Sequence, residues 1–139
     1  MRWSGLALVM MLPGGLVAQD APVPLSVVAE ETRASWRSQD ARGLVARSPQ
    51  LVIQLPGADP SAPIEREQAS KLLSDFFEPA EEVETVLYDA QELDNGWGLV
   101  EFRRRYRVKG TQDIREQLLL LSYRRSGRTW TLVELRVGR

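Results

Sequence analysis

The stretch that decides the fold is residues 97–109, which reads WGLVEFRRRYRVK. Its side chains alternate in character with a period of two, which is typical of a β-strand with one buried face. The series expected to be buried is Val100, Phe102, Arg104, Tyr106 and Val108. The series expected to be exposed is Leu99, Glu101, Arg103, Arg105 and Arg107. Arg104 is therefore the one charged residue expected among apolar neighbours on the inner face.

The same period extends to both sides of this stretch. It predicts strands at 86–93, 114–125 and 128–137, and the short segments that join the strands each contain glycine. Such joints are typical of hairpins, so the carboxyl half is predicted to be an antiparallel meander of four strands. Four consecutive leucines at 118–121 predict an interior strand that is apolar on both faces. The helices would cover one face, and a second copy of the protein is the simplest partner to cover the other face.

Before residue 85 the hydrophobic period is helical, except at 50–55, where it is two. It predicts a helix over 25–38, a short helix led by Asp40, a strand at 50–55, and a longer helix that ends before Pro79. The apolar stripe of that last helix is Ala69, Leu72, Leu73, Phe76 and Phe77. Helices followed by a meander predict an α+β domain over 25–139, with the helices packed on one face of a curved antiparallel sheet.

Residues 1–18 read MRWSGLALVMMLPGGLVA and have the pattern of a signal peptide: a basic start, an apolar run and a small residue at the end. The uncharged part is shorter than the roughly 20 residues that span a bilayer, so a retained anchor is the weaker alternative. Residues 19–24 are expected to form an extended leader. The sequence thus predicts a secreted or periplasmic protein with no stable membrane anchor after cleavage.

Composition excludes several kinds of chemistry. The 139 residues contain neither Cys nor His, so a Ser-His-Asp triad, a thiolate nucleophile and a zinc site with the usual ligands are all excluded. We predict no cofactor and no metal site. The 18 basic and 19 acidic residues are unevenly placed, because the carboxyl-terminal third is basic. We expect the two halves to neutralise each other and expect no nucleic-acid partner, although an anionic envelope component remains the alternative.

The order of the elements resembles the nuclear transport factor 2-like superfamily, which is also described as a cystatin-like α+β cone. This order is helix, Asp-led short helix, strand, helix, and hairpin-linked strands that end in WTLVEL at 130–135. The segments VIQLPG at 52–57 and EQASKLLSDFF at 67–77 are similar to an exported bacterial family of undescribed function. The resemblance implies a curved sheet wrapped on helices, a cavity at the open end of the cone, and frequent dimerisation through the sheet.

Arg104 is the most unusual candidate residue, because a buried guanidinium needs a partner. Glu134 on the last strand is the partner that the alternation suggests. The pair would be either structural or a cationic group in a cavity that holds a small anionic ligand. The candidate pocket comprises Trp36, Phe102, Arg104, Tyr106, Trp130 and Glu134. The stripe of Arg103, Arg105 and Arg107 is expected to be solvated or to contact a second copy.

Two function classes follow. The first is an exported non-enzymatic binding or assembly domain, with a dimer through the sheet and room for a small anionic or apolar ligand. The second, which the resemblance allows, is a small-molecule isomerase or lyase that uses Arg104, Tyr106 and Glu134 in an open cavity. An interior filled by Phe76, Phe77 and other aromatic side chains would argue against the second class.

Overall fold

The structure, a computed structural model, describes residues 21–139. The predicted signal peptide at 1–18 and the first two residues of the predicted leader therefore lie outside the described residues. None of the helices within 21–139 has the length and apolar character needed to cross a membrane.

The elements follow the predicted order. The helices are α1 (Leu25–Arg37), α2 (Ala41–Val45) and α3 (Arg66–Phe77). The strands are β1 (Gln50–Gln54), β2 (Ile64–Glu65), β3 (Ala80–Glu92), β4 (Trp97–Val108), β5 (Ile114–Ser126) and β6 (Thr129–Gly138). Helix α2 begins where Asp40 accepts a hydrogen bond from the backbone N–H of Gly43 at 3.0 Å, as an Asp that caps a helix does.

The strands form one curved sheet in the order β2-β1-β6-β5-β4-β3. Strands β3 to β6 are the predicted antiparallel meander. Strand β1 runs parallel to β6, so the sheet is mixed. The sequence predicted a wholly antiparallel sheet. The two-residue strand β2 was not predicted, and it pairs with β1 at the edge of the sheet.

All three helices contribute to a core on the inner face of the sheet, and the predicted α+β class is confirmed. From α3, Ala69, Leu73 and Phe77 are fully buried, and Phe76 is half-buried against the core. The Phe77 ring meets the edge of the Trp36 ring of α1, with 4.8 Å between the centroids. The aromatic stripe of α3 therefore covers the sheet as predicted.

Three β-bulges break the alternation of β3, at the edge of the sheet, and of β6, in its interior. In β3, Glu82 and Glu84 lie opposite the adjacent residues Tyr106 and Arg105, so Val83 is an extra residue. Tyr88 is a second extra residue in β3. In β6, Val133 is extra, because Glu134 and Leu132 lie opposite Ser122 and Tyr123. Each extra residue reverses the face of the side chains that follow it.

Helix α1 begins close to the sheet at Gly98 of β4. A Cβ at Gly98 would lie 2.8 Å from Leu25 Cδ2 and 3.1 Å from Trp130 Cζ3, which is closer than carbon atoms normally approach. Leu25 and Trp130 are both buried in the core, so neither side chain has room to withdraw. Glycine at position 98 thus lets the helix approach the sheet.

Candidate functional site

Arg104 lies in the middle of the inner face and is only 1% exposed. Its Nε and Nη2 donate to the two carboxylate oxygens of Glu82, each at 2.6 Å. Its Nη1 donates to Oε1 of Gln117 on β5 at 2.7 Å. The paired, two-pronged geometry is the strongest form of an Arg–carboxylate contact. The guanidinium is therefore held on both sides by residues of neighbouring strands.

The bulge at Val83 positions the carboxylate. Because of it, both Glu82 and Thr85 face inward, opposite Tyr106 and Arg104 of β4. The side chain of Glu82 is 1% exposed and accepts two further hydrogen bonds. These come from Trp36 Nε1 at 2.9 Å and Gln39 Nε2 at 3.3 Å. Glu82 is thereby compensated by four donors, as a buried carboxylate must be.

Three aromatic rings surround the guanidinium. The Arg104 Cζ atom lies 4.1 Å from the ring centroid of Tyr106, 5.1 Å from that of Phe76 and 5.3 Å from that of Trp36. These distances are within the range of cation–π attraction. The rings keep water from the ion pair, which strengthens its electrostatic attraction.

Gln39 joins the end of α1 to the start of the meander. It adopts a left-handed backbone conformation, with φ of 56°. Its Nε2 donates to the backbone oxygens of Phe77 at 3.3 Å and Ala80 at 2.8 Å. The same nitrogen reaches Glu82, so one amide group connects the turn after α1, the end of α3 and the start of β3.

The predicted partner of Arg104 was wrong. The bulge at Val133 turns Glu134 to the outer face, where its carboxylate lies 3.8 Å from Nε of Arg136. Glu82, which the sequence reasoning missed, takes its place at Arg104. If the side chains of β3 alternated strictly from the inward-facing Thr85, Glu82 would face outward.

The six residues predicted to form one pocket are divided among three places. Trp36, Arg104 and Tyr106 belong to the ion-pair cluster, with Phe102 buried next to them on β4. Trp130 lies beside Gly98, about 20 Å from Arg104 at the usual rise of a strand. Glu134 is on the outer face. The structure therefore does not bring Arg104, Tyr106 and Glu134 together, as the isomerase or lyase hypothesis requires.

The outer face of the sheet has a different character. Its exposed apolar side chains include Val86, Tyr88, Leu99, Ile114 and Leu120, which are 38–54% exposed. The predicted basic stripe lies among them and has its own acidic neighbours. Arg105 lies 3.4 Å from Glu84 and 3.7 Å from Glu116, and Arg107 lies 3.5 Å from Glu81. Arg105 and Arg107 are thus neutralised within the sheet, whereas the Arg103 guanidinium lies over the Tyr88 ring, 4.0 Å from its centroid.

Comparisons with known proteins give the fold. The sequence matches no protein-family model and no curated protein. A ketosteroid isomerase-like protein from Erwinia carotovora atroseptica superposes with a TM-score of 0.67 at 13% identity, over 82% of this chain and 92% of that one. A domain of unknown function with a cystatin-like fold from Nostoc punctiforme gives 0.66 at 14% identity, over 82% and 75%. A Thiobacillus denitrificans protein, provisionally named a calcium/calmodulin-dependent protein kinase type II association domain, gives 0.66 at 13% identity, over 85% and 95%.

The class of protein is therefore an α+β cone with helices on the inner face of a curved sheet. More particularly, the chain has the nuclear transport factor 2-like, cystatin-like fold, which confirms the predicted resemblance at the level of the fold. At these identities the comparison establishes the fold alone. The narrower similarity to an exported bacterial family stays a prediction.

Proposed function

We propose that this protein is a non-enzymatic assembly domain that forms a homodimer through the outer face of its sheet. The observation that carries the proposal is the distribution of exposed apolar side chains. Of the seven large hydrophobic residues that are exposed within residues 21–139, five lie on this one face. Exposed apolar side chains that gather on one face are typical of an interaction surface.

The interior supports this proposal because its charged groups are paired with each other. Arg104 donates to Glu82 and Gln117, and Trp36 and Gln39 also donate to Glu82. A catalytic group needs to be within reach of a substrate, whereas this pair is enclosed by aromatic rings. The ion pair thus serves to hold the helices on the sheet.

The charges of the outer face favour a second copy over an anionic surface. Arginine and glutamate alternate across β3, β4 and β5, and they form the ion pairs described above. An anionic polymer or lipid would need an excess of positive charge, which the stripe lacks once its acidic neighbours are included. A face that carries both signs can complement itself across a two-fold axis.

The size of the face is sufficient for a stable dimer. Strands β3 to β6 are 10 to 13 residues long. With about 4.8 Å between strands and about 3.3 Å per residue, four such strands present roughly 750 Å². A typical stable interface buries about 800 Å² on each partner.

A two-fold axis parallel to the strands, between β4 and β5, gives a consistent arrangement. It places β3 opposite β6 of the second copy and β4 opposite β5. Residues at the same level of the sheet then face each other. Asp89 would face Arg136 of the second copy, and Arg105 would face Glu116. Both contacts join opposite charges.

The test is sedimentation of the purified protein across a range of concentrations. The wild type is expected to sediment as a dimer, and Leu120→Glu as a monomer, because this leucine is 40% exposed at the centre of the face. Val27→Glu is the matched control, since Val27 is 46% exposed on α1, away from the sheet. It is expected to remain dimeric. A wild type that is monomeric at high concentration, or equal behaviour of the two variants, would overturn the proposal.

We further propose that the protein is exported and that residues 1–18 are removed. The support is the signal-peptide pattern of that segment. Amino-terminal sequencing of the protein recovered from a bacterial periplasm or culture fluid is expected to start at residue 19, or one residue later. Recovery of the protein in the cytoplasm with its first residues intact would contradict export.

A further inference from the structure

A half-open cavity of about 160 Å³ lies between α1, α2 and the ends of β5 and β6. It does not belong to the ion-pair cluster or to the outer face. Its apolar wall includes Val28, Leu44, Trp130 and Leu132. Its polar wall includes the hydroxyl-bearing Thr32 and Tyr123. A cavity of this size is close to that of engineered cavities that bind benzene.

The hydrogen bonds fix the direction of the two hydroxyl protons. Thr32 donates its only hydroxyl proton to the backbone oxygen of Val28 at 2.9 Å. The 2.7 Å contact between the Thr32 and Tyr123 hydroxyls must then use the proton of Tyr123. The Tyr123 oxygen is left as an acceptor, and no other group within residues 21–139 donates to it.

A second acceptor lies near the opening. Glu31 lines the cavity, and its carboxylate lies 3.5 Å from Nη2 of Arg47, which also lines it. Both of these side chains are more than half exposed, so the carboxylate can reorient toward a ligand. The cavity therefore offers an acceptor inside, the Tyr123 oxygen, and a second acceptor at the opening, the Glu31 carboxylate, beside which Arg47 is the cation.

We propose that this cavity binds a compact organic molecule with an apolar body of about six to eight non-hydrogen atoms, a size near that of benzene, and one hydrogen-bond donating head. The body would lie on Leu132 and Trp130. The head would donate to the oxygen of Tyr123. An alcohol and a primary amine share this chemistry, whereas a carboxylate would meet the lone pairs of Tyr123 and the charge of Glu31. The inference does not rest on the dimer.

The test is titration of the purified protein, followed by NMR, with four probes: benzyl alcohol, benzylamine, toluene and benzoate. Benzyl alcohol and benzylamine are expected to bind about five-fold more tightly than toluene, the ratio that one net hydrogen bond gives. Benzoate is expected to bind more weakly than toluene. Shifts of the signals of Thr32, Tyr123 and Trp130 would place the probe in the cavity. Equal affinities for alcohol and toluene, or no saturable binding by any probe, would overturn the proposal.

Variants connect the selectivity to the phenol oxygen. Tyr123→Phe is expected to reduce the affinity for benzyl alcohol to that for toluene, with toluene unchanged. Tyr88→Phe is the matched control, because Tyr88 is exposed on the outer face, and it is expected to change neither affinity. An equal loss in both variants would contradict the proposed site.

A second variant keeps the core volume and tests the proton direction. In Thr32→Val the Tyr123 hydroxyl loses its acceptor, so its proton becomes available to a ligand. The preference is expected to move from donor heads toward an acceptor head, such as that of methyl phenyl ketone. An unchanged preference for benzyl alcohol over the ketone would show that Tyr123 does not select the head group, and the proposal would fail.

Discussion

Arginine residues on the two faces of β4 have opposite environments, one buried and one exposed. Arg104 on the inner face is 1% exposed and bound to Glu82 through two hydrogen bonds of 2.6 Å. Its chain neighbour Arg105 on the outer face has a side chain that is 44% exposed, and its nearest carboxylate is 3.4 Å away. The inner pair is removed from water within a single protomer, whereas the outer pair is exposed to solvent in a protomer without its partner. Burial, and not the identity of the residues, therefore sets the energetic weight of each pair.

The largest expected effect is the loss of one inner partner. Arg104→Ala leaves the Glu82 carboxylate buried without its main partner, so it is expected to lower the free energy of unfolding by about 3–5 kcal/mol. Urea unfolding followed by tryptophan fluorescence measures this change. The double variant Arg104→Met with Glu82→Gln removes both charges and is expected to lose less than Arg104→Ala alone. A loss below about 1 kcal/mol in Arg104→Ala would contradict the inner–outer contrast.

An intermediate effect is expected at high pH from the buried phenol of the inner face. Burial raises the pKa of Tyr123 above its ordinary value; the hydrogen bond with Thr32 acts in the opposite direction, and the nearby Glu31 carboxylate acts in the same direction as burial. The folded state therefore keeps this proton above about pH 10, where the unfolded chain releases it. The contribution of Tyr123 to the free energy of unfolding is fully present below about pH 10. Above that pH it falls, by up to about 1.4 kcal/mol per pH unit.

The measurement is urea unfolding between about pH 9 and about pH 11, a range set by the ordinary phenol pKa. Tyr123→Phe is expected to show a shallower decline than the wild type, because it lacks the group. Tyr88→Phe on the outer face is expected to follow the wild type. Parallel curves for the wild type and Tyr123→Phe would contradict the assignment.

The smallest effect is expected on the outer face. In the Leu120→Glu background, which keeps the outer face in solvent, Arg105→Ala removes only exposed contacts to Glu84 and Glu116, so it is expected to cost less than about 1 kcal/mol. Because salt screens exposed charges, this cost is expected to shrink further in concentrated sodium chloride. Urea unfolding at low and high salt checks both points. A loss as large as that of Arg104→Ala would contradict the proposed difference in strength between the inner and outer ion pairs.

Local patterns predicted the parts of the fold that local contacts determine. The alternation over 97–109 placed Arg104 on the inner face, and the stripe of α3 placed Phe77 in the core. Asp40 was expected to begin α2, and it does so through its bond to Gly43. In each case the signal is a periodicity or a cap that a few neighbouring residues carry by themselves.

The partner of Arg104 could not be read in this way, because two bulges decide it. The extra residue Val83 turns Glu82 inward, and the extra residue Val133 turns Glu134 outward. A bulge leaves little trace in the composition of a strand, whereas it reverses every side chain beyond it. Glu82 also precedes the strand predicted at 86–93, because β3 begins six residues earlier, at Ala80, so the sequence reasoning did not place Glu82 on a strand.

The parallel pairing of β1 with β6 was missed for a different reason. Val52 lies opposite Glu134, more than 80 residues away along the chain. No turn joins the two strands, so neither the length of a loop nor a glycine in the sequence indicates that they pair. Contacts of this kind are set by how the helices pack on the sheet, and only the assembled fold specifies them.

The amide of Gln39 has a consequence for how the molecule comes apart. Through Phe77, Ala80 and Glu82 it joins the turn after α1 to the junction of α3 and β3, about 40 residues further along the chain. Helix α1 cannot move away from the sheet without breaking these contacts. We therefore expect the end of α1 and the start of β3 to open together, so that their amide hydrogens exchange with solvent at similar rates.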